Sequence, residues 1–520
     1  MTSKKIIIGA MALLLTATTS CKDEFFDVNN NPNQVTAATP ELVLPNALAN
    51  TATYLQGGPT GANGTSGSQP SNFSFLNLWM GYWNWSGNYS INTSDKNYQF
   101  TNTFGQNIWN NGYTNLKNYN YIEQQAVAQQ QPYLQAMAKI MKALHFQYLV
   151  DTYGNVPYTN ALQGLGQVQP TYDSGVSIYE DLFKQLDAAI ALFADGDKQA
   201  AAGATIRNPG VNDIMFKGDL AKWRRFANTL KLRMILRQSE RADRQTFIQS
   251  ALTVLKASPF GFLRAGEAAT VNPGYINSTN QQNPFFGTFG LGVNGQPVEN
   301  NNIYRAGRYA TDFLISTQDS RIFGFYNPVS GSSFGATFFG TTAPLPNGQT
   351  SSIGPGLLQD PTQAAVIMSS AEALFLQAEA VQRGYLTGNA QTLYESAIVQ
   401  SYTYLGIADE DGTAEDYARE FLASDNPNVT WSVATDKIRL ILTQKWVAMN
   451  GISPFESWSD YRRTGIPAVP VSQDPSTSVK QIPLRLLYPQ SETQYNSEVV
   501  KGQGDTQNSQ FDKTKIFWIK

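Results

Sequence analysis

One cysteine and one histidine are all that 520 residues hold of the two most versatile reactive side chains. With Cys21 alone, no disulfide can close within the chain and no thiol pair can cycle between redox states. With His145 alone, zinc sites of the usual ligand sets and Cys–His catalysis are excluded. His145 sits beside Met141, Leu144 and Tyr148 on an apolar helical face, so it reads as a core histidine. Charge is sparse too: Asp, Glu, Lys and Arg make up 15% of the chain and the net charge is −3, with no basic patch that would argue for nucleic acid. After the N-terminal run, no apolar stretch is long enough to span a membrane.

That N-terminal run, Ile6 to Leu15, follows Lys4 and Lys5 and leads into the small residues Thr18, Thr19 and Ser20. As a helix it would cover roughly 15 Å, half of a ~30 Å hydrocarbon core. A basic start, a short apolar core and small residues before a cut make residues 1–20 a secretory signal peptide. The region around Cys21 resembles a bacterial lipoprotein box, with Thr18 where leucine is usual. "KDE" after it resembles a signal for export to the outer face of the outer membrane. Cys21 is then the lipidation site; one acyl chain anchors marginally and two or more hold stably. Residues 21–45 are expected to be a lipidated tether, and 46–520 a single domain.

What the chain has in surplus is aromatic: Tyr, Phe and Trp reach 12%, among many Asn, Gln, Ser and Gly. This composition suits a surface that holds uncharged polar ligands by stacking and amide hydrogen bonds. The long periodic segments read as helices. Trp223, Phe226, Ala227, Leu230, Met234 and Arg237 recur at three- and four-residue steps, and the first four fit the opening of a tetratricopeptide repeat. "ALFLQAEAVQRGYLTGNAQTLYESAIVQSY" fits better, with Ala378 small on one helix and Ala390, Tyr394 and Ala397 on the next. Helices around Ala138–Val150 and Ile178–Phe193 read as a third pair split by "DTYGNVPYTNALQGLGQVQP", and another spans Asp436–Asn450.

The expected fold is mostly α, a tetratricopeptide-like scaffold (mainly 105–257 and 364–463) carrying a large irregular, loop-rich part. Periodicity stops over about 258–363, where Gly, Pro, Asn, Ser and aromatics dominate, and 464–520 is irregular again. "GGPTGANGTSGSQPS" (Gly57–Ser71) reads as a mobile surface loop. "GSSFG" (Gly331–Gly335) and "GLGVNG" (Gly290–Gly295) match hydrolase-elbow and dinucleotide patterns but lack the strand–turn–helix setting these need. "DEDG" (Asp409–Gly412) has its glycine misplaced for a calcium loop. No cofactor or metal is expected. Paired carboxylates of a glycosidase are invisible without spatial separation, so an all-helical glycan hydrolase or lyase stays open.

Several blocks together resemble the SusD/RagB-like nutrient-binding lipoproteins of the bacterial outer membrane, in the branch that opens with "NPN" (Asn31–Asn33). They are "DTYGNVPY" (Asp151–Tyr158), "GDLAKWRRFANTLKLRMILR" (Gly218–Arg237), "AEALFLQAEAVQRG" (Ala371–Gly384), "QKWVAMNG" with "ESWSDYRRTGIP" (Gln444–Pro467), and "IPLRLLYPQSE" (Ile482–Glu492). The resemblance implies no catalysis. It implies a protein that caps a TonB-dependent (SusC-like) outer-membrane transporter and delivers oligosaccharide, or alternatively peptide, for import. Trp458, Arg462 and Arg463 in these blocks read as structural, locking helix ends and carbonyls.

Ligand contacts are expected from aromatics outside the helical pattern. "LWMGYWNWSGNY" places Trp79, Tyr82, Trp83, Trp85, Asn88 and Tyr89 at spacings that fit neither one helix face nor a long alternation. The loop "NPGYINSTNQQNPFFGTFG" adds Tyr275, Phe285 and Phe286. The candidate ligand residues are therefore Trp79, Trp83, Trp85, Asn88, Tyr89, Tyr275, Phe285 and Phe286. Ordinary packing of the same cluster beneath a loop is the competing reading. Trp109, Tyr113 and Leu116 share one helical face and read as core.

Overall fold

The structure, a computed structural model, describes residues 38–57, 72–91, 93–506 and 508–520. The chain divides into residues 1–39 and the unit Pro40–Lys520, and the architecture is that of the latter. Cys21, the signal segment and Asn31–Asn33 lie outside the described residues, as do residues 58–71 of the Gly/Ser stretch. Residues 40–45, expected as tether, instead open the first helix.

The helices of nine or more residues are α1 Pro40–Gln56, α2 Gln106–Ala128, α3 Pro132–Tyr153, α4 Gly175–Ala201, α5 Leu220–Arg237 and α6 Gln245–Ala257. After them come α7 Arg308–Ser316, α8 Ser370–Gln382, α9 Ala390–Leu405, α10 Ala414–Leu422, α11 Lys437–Met449 and α12 Pro454–Thr464. Their starts are chemically marked. Ser174, Asp219, Ser369, Asn389 and Asp436 each accept a backbone N–H of the first turn. Thr413 and Asp416 form a reciprocal capping box, and Pro132 and Pro454 occupy first-turn positions. Consecutive helices pack on one another from α1 to α6 and again through α8, α9 and α10, while α11 packs on α8 and α12 on α11. The fold is mostly α and tetratricopeptide-like, as expected. In the best-matched pair, Ala378, Tyr394 and Ala397 are fully buried, and the Phe375 and Tyr394 rings meet at 6.1 Å.

The conspicuous residues of the helical blocks build a buried ionic cluster. Arg233 of α5 reaches Glu372 of α8 at 2.6 Å; Arg237, one turn on, holds Glu456 of α12 at 2.8 Å and Asp151 of α3 at 3.1 Å. Asp151 also accepts the indole N–H of Trp518 at 2.7 Å. Arg463 spans Glu379 at 2.6 Å and Asp460 at 2.9 Å, and Lys445 of α11 meets Asp460 at 2.9 Å. Burial alone would raise the Asp460 carboxyl, but Lys445 and Arg463 beside it overcome that and hold it well below the usual carboxylate range. Arg462 donates to the carbonyls of Asp151 and Leu484, lies over the Trp458 ring at 3.4 Å, and so closes the C-terminal segment onto α3. The Trp458 N–H donates to the Pro483 carbonyl at 2.8 Å. These residues lock helices and carbonyls, as the sequence suggests.

His145 is a core residue. Its Nε2 lies 2.9 Å from the Thr51 hydroxyl and 3.3 Å from the Asn115 amide, its ring stacks on Tyr54, and burial pushes its pKa down to about 3. Trp109 is buried as well, edge-on to Tyr153 at 5.0 Å. Region 258–363 is irregular but ordered by short elements, including Pro284–Phe289, Glu299–Ile303 and α7. "GSSFG" lies in a turn that Ser333 closes with Val329 and Ser330. "GLGVNG" spans a loop in which Gly295 donates back to Gly292, and "DEDG" is a turn around Asp409, which accepts from Asp411 and Tyr417. Among the described residues, no group of three or more His, Cys, Asp or Glu could hold a metal ion, and no helix is long and apolar enough to cross a membrane.

Candidate functional site

The early aromatic segment changes conformation every few residues, which explains its irregular spacing. Leu76–Trp79 is a helical turn, Gly81 takes a left-handed φ of 72°, and Trp83–Trp85 forms strand β1. β1 pairs antiparallel with a second strand, Tyr304–Ala306, in the register Trp83 to Ala306, Asn84 to Arg305 and Trp85 to Tyr304. Strand alternation sets Trp83, Trp85 and Tyr304 on one face and Asn84 with Arg305 on the other.

The tryptophan face is core. Trp83 is 0% exposed against Phe285, Phe289 and Tyr304 at 5.1–6.2 Å. Trp85 packs on Phe339 at 5.3 Å, and Trp79 is enclosed by Phe75, Tyr98, Phe100, Phe104 and Trp458. Phe285 and Phe286 are buried too. In this conformation Trp79, Trp83, Trp85, Phe285 and Phe286 offer no face to a ligand. The inference from irregular spacing to exposure fails because a helix-to-strand switch produces the same spacing in a wholly buried segment. Of the expected ligand residues, Asn88, Tyr89 and Tyr275 reach the surface.

Asn88 and Tyr89 do so beside the opposite strand face. Ser86 donates its N–H to the Ile303 carbonyl, and Gly87 donates to the Leu345 carbonyl; a Cβ on Gly87 would fall 2.4 Å from the Pro344 oxygen, so only glycine allows this approach. The Asn88 carboxamide oxygen accepts the Asn347 N–H at 2.7 Å, and the Asn347 side-chain oxygen accepts Arg305 Nε–H at 3.1 Å. Arg305 is 7% exposed, yet among the described residues no carboxylate or backbone carbonyl pairs with it. Every other buried arginine has such a partner: Arg224, Arg233, Arg237, Arg244, Arg321, Arg463 and Arg485 have carboxylates, and Arg462 has carbonyls. Burial pushes the Arg305 guanidinium pKa down and nearby Tyr89 pushes it back up, while an arginine stays charged at any physiological pH. The rest of its planar N–H fork, the free Asn88 amide and the half-buried Tyr89 ring therefore form one hydrogen-bonding and stacking face.

Two cavities lie elsewhere. A groove of about 640 Å³ between α2, α3 and α4 is lined by Glu123, Lys139, Lys142, Tyr158 and Asp181. Most of its charged groups are already engaged: Lys139 and Lys142 hold Glu123, and Tyr158 donates to Asp181 at 2.6 Å. A cleft of about 610 Å³ includes Tyr275.

Over residues 32–489 the chain matches the SusD-like family described as "Starch-binding associating with outer membrane". The chain belongs to that family. It is similar to a chitin-binding SusD homologue from Flavobacterium johnsoniae, at 23% identity over 89% of this chain and 97% of the other, with a TM-score of 0.67. A SusD homologue from Bacteroides fragilis NCTC 9343 shares 22% identity over 91% and 98%, at 0.68. One from Bacteroides uniformis ATCC 8492 shares 20% over 92% and 99%, at 0.70. No curated protein matches the chain. At these identities the SusD-like relatives establish the fold, and the site must be argued from this chain's own side chains.

Neither Arg305 nor Asn347 is among the sequence-based candidates. The available signal is an arginine between Tyr304 and Ala306, a charge within a short strand that is otherwise apolar. Asn347 is one amide among dozens, and only its contacts single it out.

Proposed function

We propose that this SusD-like protein binds oligosaccharide at the face of Asn88, Tyr89, Arg305 and Asn347 and passes it to a TonB-dependent outer-membrane transporter. A lipid on Cys21 holds it at the outer membrane, facing outward. The observation that carries the reading is Arg305: its side chain is largely buried without an anionic partner, and the N–H groups it does not spend on Asn347 are free for a ligand oxygen to accept. Adjacent sugar hydroxyls match two parallel N–H donors, Asn88 supplies a further donor, and Tyr89 supplies an apolar ring for a pyranose face. The family's starch-binding description and the chitin-binding relative favour glycan over peptide. Both chitin and starch are neutral, so chito- and malto-oligosaccharides are the first ligands to test.

The protein acts by capture and release. Calorimetric titration should detect one or both glycan series and no response to a peptide panel. Arg305→Leu should weaken binding at this face, since hydrogen bonds to a charged group contribute about 1.5–3 kcal/mol, roughly ten- to a hundredfold in affinity. Binding of peptides alone would replace glycan as the ligand class. Release of reducing ends, abolished by a single carboxylate substitution, would point to the helical hydrolase. Cys21→Ala should move the protein from membranes to the soluble fraction, and co-purification from outer membranes should recover the transporter.

A further inference from the structure

The cleft that includes Tyr275 has walls from α1 (Ala49, Asn50, Thr53) and from the loops Pro273–Pro284 and Gly287–Val298. None of the side chains lining its roughly 610 Å³ is ionisable at neutral pH, and the volume lies within the range of about 300–1,000 Å³ usual for small-molecule sites. Two observations mark it as more than a surface depression. The Tyr275 hydroxyl is buried and has no hydrogen-bond partner among the described residues, an uncommon state for a buried polar group. The side-chain amides of Asn50, Asn280 and Gln281 are exposed and have no partner among the described residues, whereas Asn283 and Gln282 spend theirs holding the loop: Asn283 on the Gln363 carbonyl, Gln282 on Asn277 and the Leu291 carbonyl. Asn280 is also held at a left-handed φ of 59°, a conformation non-glycine residues seldom adopt.

We infer that this cleft is a second ligand site, for a neutral oligosaccharide, separate from the Arg305 face. It rests on the glycan reading of the protein and extends it. A carboxamide donates and accepts at once, as does a sugar hydroxyl, so three free amides and a phenol match a polyol without any charge to select for an ion. A peptide would use a free strand edge or a helix groove, and the cleft presents amides on one face of α1 and irregular loop. The two sites share a wall: Phe285 and Phe289, on the short helix Pro284–Phe289 beside the cleft, pack on Trp83 and Tyr304, and Tyr304 precedes Arg305.

The test is calorimetric titration of the chain with chitohexaose and with maltohexaose, for wild type, Tyr275→Phe, Gln281→Ala and Arg305→Leu, each checked by a melting curve. Tyr275→Phe removes only an unpaired hydroxyl, so the fold should not weaken. The expected result is two sites per chain: Tyr275→Phe and Gln281→Ala each weaken one site about three- to tenfold, and Arg305→Leu weakens the other more strongly. A single site weakened by Arg305→Leu and untouched by Tyr275→Phe and Gln281→Ala overturns the cleft and leaves the first reading standing. A single site weakened by the cleft variants and indifferent to Arg305→Leu retains the cleft and overturns the Arg305 face. No heat from either sugar overturns both.

Discussion

Two parts of this molecule bury arginine, and one arginine of the loop-rich part is treated unlike those of the scaffold. In the helical scaffold Arg233, Arg237 and Arg463 are sealed among Glu372, Glu456, Asp151, Glu379 and Asp460, which lie on α3, α8 and α12. In the loop-rich part Arg321 is likewise paired, with Asp319 at 2.6 Å, but Arg305 is nearly as buried and has only an asparagine. The scaffold charges specify which helices meet, since each pair fits one arrangement. The Arg305 charge holds only Asn347 inside the protein, and in the proposed function the rest of its hydrogen-bonding capacity is left for a ligand. Stability and binding are thus assigned to different arginines.

The largest test of that contrast is Arg463→Met. It leaves Glu379 and Asp460 short of a partner in the interior and should cost about 3–5 kcal/mol of unfolding free energy, read by urea denaturation. Replacing the pair together, Arg463→Met with Glu379→Leu, should recover a large part of the loss. If the single substitution is silent, the cluster does not organise the scaffold. Trp83→Ala should cost a similar amount, about 3–5 kcal/mol, through the cavity left against Phe285, Phe289 and Tyr304. A mild effect there would return Trp83 to the list of ligand-facing residues.

Arg305→Leu sharpens the contrast from the other side. Removing an unpaired buried charge should leave the melting temperature unchanged or raise it, the reverse of Arg463→Met, while ligand affinity falls. A loss of stability comparable to that of Arg463→Met would make Arg305 one more structural arginine.

The smallest effect is a pH dependence. His145 is held neutral in the fold with its pKa pushed down to about 3, whereas the unfolded chain protonates near 6.5. As pH falls below about 6.5 the unfolded state binds a proton the folded state does not, so stability drops by about 1.4 kcal/mol for each unit until pH approaches 3. Against the effect of burial, Glu379, Glu456 and Asp460 of the scaffold are held below their ordinary range by the cations beside them and lose their contribution only at more acidic pH. Burial instead raises Glu372 and pushes Asp95 up to about 6, so these two take up protons in the fold and oppose the loss. Between pH 6.5 and 5 the destabilising part of the slope should therefore belong to His145, opposed by Asp95, and His145→Gln should remove it. A destabilising slope that persists in the variant would place the acid sensitivity in another group.

By itself the sequence determined the elements whose information is local or periodic. Helices with a 3.6-residue stripe, an N-cap and a proline or glycine at their ends were readable, as with α5, α8 and α9. So were the core placement of His145 and Trp109, the structural role of Arg462 and Arg463, and the family, because several blocks occur together in order. Tertiary structure alone decided which aromatics face solvent. A segment that passes from helical turn to strand at Gly81 carries no single period, so burial of Trp79, Trp83 and Trp85 follows from partners more than 200 residues away, such as Phe285, Phe339 and Trp458. Tertiary structure also decided which of many arginines lacks a counter-ion. Desolvation and pairing are properties of an environment assembled from distant residues, and no arginine carries them in its local sequence.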